Sequence, residues 1–345
     1  MTIAFRKFPF LVQIEVIKFL DYPEFFNLSF CSRSILRTMA TVKLTKISLL
    51  AFYFEDNGIT VSMSEKDGTV RVLLKLTFIT RFVANHNFQT MCMKNFRADS
   101  KVRRRNDDGQ LYFSFILTKS LEEDAKKSFV QHVLDFISNP NDVLVQLHVR
   151  FSGELEFMPP IENLHKIVFY GEEMETAPIE QVLSTQPPTK SILVEPQITG
   201  QLQQDSRLFG TSSLLLQKTG ALAQFTLENF TGSRLIMTEA EIGSATLNDF
   251  LKKWIANDGF QNLRSLVITP QEGRSILFPT TILRGITTHP WNPETRPQNY
   301  IVPAEGATIP AVTIDAQLFR DIRQDGNGKL ASVDVHLTIL KFLVW

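Results

Sequence analysis

The residues of this chain that are best suited to chemistry are two cysteines, six histidines and one glycine-rich loop. The loop, Asp325-Gly326-Asn327-Gly328, begins like a calcium-binding loop, but Lys329 and His336 stand where such a loop needs oxygen ligands. A hairpin turn is therefore the better interpretation. The histidines lack the spacing of metal ligands, and a lone cysteine such as Cys31 is more often a buried structural thiol than a nucleophile. These residues predict neither a metal site nor a catalytic centre.

The common catalytic and nucleotide-binding motifs are also absent from the sequence. It contains no G-x-G-x-x-G, G-x-x-x-x-G-K-[ST], G-x-S-x-G or H-E-x-x-H pattern. Its two cysteines, Cys31 and Cys92, are too few for a disulfide framework or a four-ligand zinc site. We therefore expect a protein that is not an enzyme, that binds no metal or other cofactor, and that keeps its thiols reduced.

One basic run, Lys101-Val102-Arg103-Arg104-Arg105, has the composition of a nuclear-import or phosphate-binding patch. Two carboxylates, Asp107 and Asp108, follow it at once and lead into a turn at Gly109. We therefore favour a solvated hairpin loop for the run and leave the two functional alternatives open.

Composition and charge narrow the class of protein further. The chain has 345 residues, 36 basic and 36 acidic side chains and 43% hydrophobic residues, and its length suggests two domains of roughly 100–200 residues each. A net charge of zero argues against a nucleic-acid or polybasic membrane binder. No apolar stretch approaches the roughly 18 residues of a membrane span, and the N-terminus lacks a signal-peptide core. We expect a soluble intracellular protein, cytoplasmic, nuclear or both, that contacts neither nucleic acid nor membrane.

The first 43 or so residues predict three short helices. Pro9 and Pro23 suit the starts of the first two helices, and Ser32 can cap the third. Three helices in about 40 residues lie at the lower limit of independent stability, so this segment needs support from a partner or from the following domain.

The first of these helices has two apolar faces, which a bundle of this size cannot both bury. One face carries Val12, Val16 and Leu20, and the other carries Phe10, Ile14 and Ile17. The chain contains 28 Phe against 5 Tyr and 3 Trp, and Phe suits dry packing because it has no polar group. We expect the second face to pack internally and the first to be left for a partner.

The rest of the chain predicts a mixed arrangement of strands and helices. Period-two segments and confident turns predict an antiparallel meander over residues 47–74, and an amphipathic helix follows at 121–137. Beyond residue 143, short strands, Gln224–Leu227 among them, alternate with helices or loops at an irregular spacing that resembles a degraded leucine-rich-repeat stack. A helix from about Thr246 and a hairpin around Asn327-Gly328 complete the pattern. The sequence does not determine the course of the chain through residues 196–245. As a whole, it predicts an α+β protein.

Two N-terminal segments, residues 8–16 and 24–33, resemble the F-box. The first begins Phe8-Pro9, where that family has a Leu-Pro start, and the second ends Leu28-Ser29-Phe30-Cys31-Ser32-Arg33, close to the family's Leu-Ser-x-Cys-Ser-Lys segment. The resemblance covers roughly residues 5–43 and implies a three-helix F-box domain at 1–43.

Residues 44–345 resemble the F-box-associated domain (type 2) of the F-box B proteins that are expanded in nematodes. The resemblance rests on the helix Leu247–Trp254, the strand Asn262–Ile268 and the closing segment from Asp321 to Trp345. It implies a mixed α/β substrate-binding domain with an antiparallel meander and leucine-rich-repeat-like strand–helix units.

Together the two resemblances imply a substrate-recognition subunit of an SCF-type ubiquitin ligase. Its partners would be the BTB-like adaptor, through that adaptor a cullin, and a protein substrate whose identity and binding surface the sequence does not give. The family positions of the adaptor-binding residues correspond to Phe8, Pro9, Val12, Val16, Leu20, Leu28 and Cys31. An F-box-type interaction scaffold that works outside any ligase is the alternative.

Overall fold

The computed structural model describes residues 5–39, 41–42, 46–82, 88–93, 95–107, 109–136, 143–150, 157–292, 299–300, 312–313, 318–326 and 328–345. The chain divides into two compact units. The first comprises Met1–His165 with Thr185–Pro187, and the second comprises Lys166–Ser184 with Pro188–Trp345. The N-terminal helices therefore belong to the same compact unit as the strands that follow them, and the division after residue 43 stays a prediction.

The first unit begins with a 3-10 turn, Phe5–Lys7, and three short helices. The helices are α1 (Phe10–Lys18), α2 (Tyr22–Ser29) and α3 (Arg33–Met39). Pro9 immediately precedes α1, and Pro23 lies in the first turn of α2, where a proline costs no helical hydrogen bond. The Ser32 hydroxyl oxygen accepts a 3.2 Å hydrogen bond from the Ile35 N–H and so caps α3 as expected. A helix lies at each of the three predicted places.

The strands of the first unit form one sheet in the order β7-β1-β2-β3-β6-β5-β4. The elements are β1 (Ile47–Glu55), β2 (Gly58–Glu65), β3 (Val70–Ile79), β4 (Gln89–Cys92), β5 (Arg97–Asp107), β6 (Gln110–Thr118), α4 (Glu122–Leu134) and β7 (Leu144–Val149), with a 3-10 turn, Lys119–Leu121, before α4. β1, β2 and β3 are antiparallel neighbours, which confirms the predicted meander. β6 then pairs with β3 in parallel, and β7 pairs with β1 in parallel.

The basic run Lys101–Arg105 lies in β5, so the loop interpretation is wrong. Residues 101–107 form an antiparallel ladder with residues 110–116 of β6. Gly109 lies between the two strands with a φ of 78°, a backbone conformation that favours glycine. Side chains from Arg103 onwards are exposed, which suits a strand of charged residues near a sheet edge.

Phenylalanines from α2 anchor the helices to the sheet of the first unit. Phe25 and Phe26 each contact the Phe136 ring edge-to-face, at 5.2 and 5.5 Å between centroids. Phe30 contacts Phe115 of β6 at 4.8 Å and stacks on Phe129 of α4 at 5.8 Å. The α2 side of the N-terminal segment is therefore part of the core of this unit.

The second unit, which starts at Lys166 within the strand Leu164–Phe169, consists of short strands and helices. The strands are β8 (Leu164–Phe169), β9 (Glu173–Glu175), β10 (Ser191–Val194), β11 (Gln197–Thr199), β12 (Ser213–Leu216), β13 (Arg234–Ala240), β14 (Ser265–Pro270), β15 (His289–Pro290), β16 (Asn299–Tyr300), β17 (Val312–Thr313), β18 (Arg320–Arg323), β19 (Leu330–His336) and β20 (Ile339–Val344). The helices are α5 (Thr176–Thr185), α6 (Leu222–Asn229), α7 (Ser244–Ile255) and α8 (Pro279–Ile282).

The sheet of the second unit is mixed. β8, β10, β12, β13 and β14 form a parallel ladder in that order. β14 then pairs antiparallel with β20, and β20, β19, β18 and β15 continue as antiparallel neighbours. The predicted closing hairpin is present as β18 and β19, although Asn327 of its turn lies outside the described residues. The protein is thus a mixed α and β structure with parallel and antiparallel strands.

A helix prediction and a strand prediction in this unit have opposite outcomes. The helix predicted from Thr246 is confirmed as α7, with Phe250 and Trp254 packed edge-to-face on Phe342 at 5.3 and 5.1 Å. The strand predicted at Gln224–Leu227 is wrong, because these residues lie in α6. Its buried positions Ala223, Thr226 and Leu227 have the spacing of a helix face, which a four-residue window cannot distinguish from a strand.

Gly232 marks a close approach of two backbone segments in the region 196–245. A Cβ atom on Gly232 would overlap the Thr211 carbonyl oxygen and the Phe230 ring. At Gly210 the nearest atom to such a Cβ would be the Arg207 carbonyl oxygen at 3.9 Å, an ordinary contact.

We therefore expect Gly232→Ala to lower the free energy of unfolding by about 1–3 kcal/mol, the usual cost of overpacking. Gly210→Ala is the matched control and should change it by less than about 1 kcal/mol. Urea unfolding followed by circular dichroism measures both, and equal values for the two variants would contradict the close approach at Gly232.

Candidate protein-docking surface

Helix α1 leaves most of its apolar side chains in solvent. Within its nine residues only Ile17 is buried, and α1 rests on α3. Leu11 is 75% exposed and Phe19, directly after the helix, is 88% exposed. Large apolar side chains grouped in this way are typical of surfaces that bind another molecule.

The exposed apolar side chains form a stripe along the helix. Val12, Val16 and Phe19 follow one another at i, i+4 and i+7, and Leu11 borders them. We call these four side chains, Leu11, Val12, Val16 and Phe19, the α1 face. Phe8 and Phe10 are also exposed and extend the apolar surface at the N-terminal end of the helix.

The residues predicted from the family resemblance have different environments. Phe8, Pro9, Val12 and Val16 are exposed on α1 or immediately before it. Leu20 and Leu28 are half-buried, and Cys31 is exposed at the start of the connection between α2 and α3. Their role in adaptor binding stays a prediction.

Sequence reasoning missed three of the most exposed side chains. Phe10 was expected to pack internally beside Ile14 and Ile17, but it is 54% exposed, and this expectation is wrong. Ile17, seven residues later on the same predicted face, is buried as expected. Leu11 and Phe19 were not singled out, although the uninterrupted apolar run of residues 8–12 already indicated more than one apolar direction.

Charged groups border the α1 face. Lys18 Nζ lies 2.7 Å from Glu15 Oε1 on the helix surface. Beyond Phe19 there is a depression of about 480 Å³. Its charged lining residues, among those that the structure describes, are Lys18, Asp21, Lys46, Glu65 and Arg71. An apolar centre with a charged border is the usual arrangement of a protein–protein interface.

Tyr22 opens α2 beside this depression. Its partial burial, followed by the nearby Glu65 carboxylate, raises the pKa of the phenol, and the Arg71 guanidinium opposes the shift. The Arg71 Nε atom lies 3.3 Å from Glu65 Oε1, so this ion pair fixes the polar wall of the depression. The hydroxyl of Tyr22 therefore remains protonated and can donate a hydrogen bond to a partner.

A buried Ser–His pair connects α2 to α4. Ser29 Oγ lies 2.7 Å from His132 Nε2 and donates its proton to the Phe26 carbonyl oxygen at 2.6 Å. His132 Nε2 must therefore donate to Ser29, which leaves Nδ1 unprotonated. Burial lowers the pKa of His132 to about 3, so the imidazole is neutral. Both side chains are buried away from solvent, so this pair positions a helix and cannot reach a substrate.

Cys31 is exposed, contrary to the expected buried thiol. Its Sγ atom donates a weak 3.6 Å hydrogen bond to the Asn27 carbonyl oxygen. Desolvation around the sulfur, and secondarily the Cys92 thiol, raise the pKa of Cys31. The thiol therefore stays protonated near neutral pH, which is the opposite of nucleophilic activation.

The first unit also contains a cleft of about 1140 Å³ beside α4. Its other wall consists of residues 159–163 and 185–187, which the buried Gln186 side chain holds together. Gln186 Nε2 donates to the Pro159 carbonyl oxygen at 3.0 Å, and Gln186 Oε1 accepts from the Ile161 N–H at 2.9 Å. Among the described residues, the ionisable side chains of the lining are Asp124, Lys127 and Glu162, a set with neither an imidazole nor a thiol.

Two further properties bear on function. In the described part of the chain, no cluster of three or more His, Cys, Asp or Glu side chains is arranged to hold a metal ion. Within the same residues no helix has both the length and the hydropathy needed to cross a membrane.

Comparison with protein-family models, curated proteins and solved structures finds no match for this chain.

Proposed function

We propose that this protein is the substrate-recognition subunit of an SCF-type ubiquitin ligase, and that the α1 face docks on the BTB-like adaptor. The observation that carries the proposal is the exposure of Leu11, Val12, Val16 and Phe19 on a helix whose sequence resembles the F-box. Such a stripe costs free energy when left in water, and a partner that covers it recovers that free energy.

The surroundings of the α1 face also support a protein partner. Residues 1–43 contain six basic and three acidic side chains, which favours a partner with an acidic surface. The charged border and the depression beyond Phe19 offer polar contacts around the apolar centre. In the proposal, Leu20, Leu28 and Cys31 support or border the contact rather than form its centre.

The proposal also assigns the two domains of the chain and the repeat-like arrangement of its strands. Helices α1–α3 are assigned to an F-box, and residues 44–345 to a type 2 F-box-associated domain that recognises the substrate. The parallel ladder β8-β10-β12-β13-β14, whose strands begin at residues 164, 191, 213, 234 and 265, supports a degraded leucine-rich-repeat-like arrangement.

The proposed mechanism involves no chemistry by this chain. By binding the adaptor and a substrate at the same time, the protein raises the effective concentration of substrate lysines near a charged ubiquitin-conjugating enzyme. The ligase would supply the bond-forming step, and this chain would supply proximity and selection.

Purified adaptor tests the proposal directly. We expect the wild-type chain to form a complex in a pull-down and in titration calorimetry. Val12→Asp with Val16→Asp should weaken it at least about 100-fold, because each buried unpaired charge costs on the order of several kcal/mol.

The matched control introduces the same charges elsewhere on exposed apolar side chains. Val70→Asp with Ile276→Asp replaces residues that are 54% and 55% exposed and should bind the adaptor like the wild type. The proposal fails if the wild-type chain forms no complex, or if both double variants bind equally well.

A further inference from the structure

The two cysteines of the chain, Cys31 and Cys92, lie on neighbouring segments of the first unit. The Cys92 N–H, at the end of β4, donates a 2.8 Å hydrogen bond to the carbonyl oxygen of Phe30, the residue directly before Cys31. A carbonyl oxygen lies roughly 3 Å from the Cα atom of the next residue, so the Cα atoms of the two cysteines are at most about 7 Å apart. Disulfides usually join Cα atoms about 4.4–6.8 Å apart. The backbone therefore allows a disulfide without a large rearrangement.

Both cysteines are attached to well-packed elements. Cys31 directly follows Phe30, whose ring is 2% exposed and contacts Phe115 and Phe129 in the core. Cys92 is the last residue of β4 and pairs with Arg97 of β5 in the antiparallel ladder. Two reactive groups that are held in this way have a high effective concentration towards each other. A bond between the two cysteines is therefore favoured over a bond from either of them to a free thiol.

The side chains of the two cysteines differ in exposure. Cys31 is exposed and Cys92 is half-buried, so a reagent in solution meets Cys31 first. The Cys31 thiol makes only a weak 3.6 Å hydrogen bond, to the Asn27 carbonyl oxygen, and a disulfide would replace that contact at little cost. The Cys92 thiol is close enough to contribute, after desolvation, to the raised pKa of Cys31.

We propose that Cys31 and Cys92 form a reversible disulfide, with a small-molecule disulfide such as oxidised glutathione as the oxidant. The Cys31 thiolate attacks one sulfur of oxidised glutathione and releases a first molecule of reduced glutathione. The Cys92 thiolate then attacks the Cys31 sulfur, forms the Cys31–Cys92 bond and releases a second. The cysteine pair gives up two electrons and two protons, and one oxidised glutathione becomes two reduced ones. The bridge fastens the end of α2 to β4, and it does not depend on the proposed ligase function.

The environment of Cys31 determines how fast the bridge forms. Desolvation of the sulfur, and secondarily the Cys92 thiol, raise the pKa of Cys31, so the attacking thiolate is a minor species near neutral pH. We therefore expect exchange to be slow at pH 7 and faster at higher pH, because the thiolate is the nucleophile. This behaviour suits a bridge that follows the redox state of its surroundings and not a catalytic thiol.

The first test equilibrates the reduced full chain in mixtures of reduced and oxidised glutathione at pH 8.5, stops exchange with acid and identifies the products by mass spectrometry. We expect the wild type to lose two hydrogen atoms and to give a cross-linked peptide that joins Cys31 to Cys92. In the matched variant Cys92→Ser, Cys31 can only take up glutathione. Half-oxidation of the wild type should need a ratio of oxidised to reduced glutathione at least about tenfold lower than half-modification of Cys92→Ser, because the internal thiol acts at a high effective concentration.

The second test compares urea unfolding of the oxidised wild type with that of the same protein after reduction. A bridge closes the loop from Cys31 to Cys92 and restricts the unfolded chain, so the oxidised protein should unfold at a higher urea concentration. The control, Cys31→Ser with Cys92→Ser, has no thiol and should unfold at the same urea concentration with and without the reductant.

Four results would overturn the proposal. They are a wild type that stays a dithiol in every mixture, glutathione adducts or disulfide-linked dimers in place of the internal bridge, half-modification of the wild type and Cys92→Ser at the same ratio, or an oxidised wild type that unfolds at the same or a lower urea concentration than the reduced one. Because neither test contains the adaptor, the outcome is independent of the adaptor pull-down.

Discussion

Phe30→Ala should lower the free energy of unfolding by about 3–5 kcal/mol, the usual cost of emptying a buried phenylalanine site. Phe30 ends α2 and is 2% exposed, between the rings of Phe115, Phe129 and His132. Its carbonyl oxygen also accepts a 2.8 Å hydrogen bond from the Cys92 N–H, so α2 is held by side chain and backbone together. The loss follows because the variant removes the contacts with all three rings and leaves a cavity between them.

The chain contains its own control for this variant. Phe19→Ala makes the same change of side chain 11 residues earlier, at a position that is 88% exposed, and should change the free energy of unfolding by less than about 0.5 kcal/mol. Urea unfolding of both variants and the wild type measures the difference. If Phe30→Ala is as stable as Phe19→Ala, the N-terminal helices are not anchored by α2 in the way described.

Acid should weaken the fold through His132. Burial lowers its pKa to about 3 in the folded state, against 6.5 for an ordinary histidine, so the unfolded chain binds a proton between these values and the folded chain does not. The contribution of the neutral His132 side chain to the free energy of unfolding is fully present above pH 6.5. Below pH 6.5 that contribution is lost by about 1.4 kcal/mol per pH unit. At pH 5 this amounts to a loss of roughly 2 kcal/mol.

His132→Gln isolates this contribution, because the amide can still donate to Ser29 but has no proton equilibrium. Urea unfolding at pH 7.5, 6 and 5 should give a free energy that depends less steeply on pH in His132→Gln than in the wild type. His289→Gln, which removes an exposed imidazole, serves as the control and should keep the wild-type dependence. Parallel curves for the wild type and His132→Gln would refute a buried neutral imidazole.

Local sequence patterns predicted the elements more reliably than their pairing. Pro9, Pro23 and Ser32 marked the helix starts, since their conformational preferences act within one turn. The parallel pairing of β3 with β6 was not predictable, because the intervening segment crosses over rather than continuing the meander. The Ser29–His132 hydrogen bond joins residues 103 positions apart, and no local pattern carries that information.

The exposed apolar face of α1 and the place of the basic run Lys101–Arg105 were predictable only in part, because local sequence patterns do not give tertiary contacts. The i, i+4 spacing of Val12 and Val16 identified an apolar face, but the exposure of Phe10 depends on tertiary packing, which spacing within one helix does not give. The basic run Lys101–Arg105 was recognised as a charge pattern and misassigned to a loop. That the run belongs to a strand depends on its pairing with residues 110–116 of β6, which the charge pattern alone does not give.

Hydrogen–deuterium exchange with and without purified adaptor tests the central proposal most directly, because it reports which backbone segments the adaptor covers. We predict slower exchange in peptides that span residues 8–31, with the largest change around α1, and little change in peptides from the second unit. Unchanged exchange over α1 in a saturated complex, or protection confined to other parts of the chain, would contradict the assignment of the α1 face as the adaptor-docking surface.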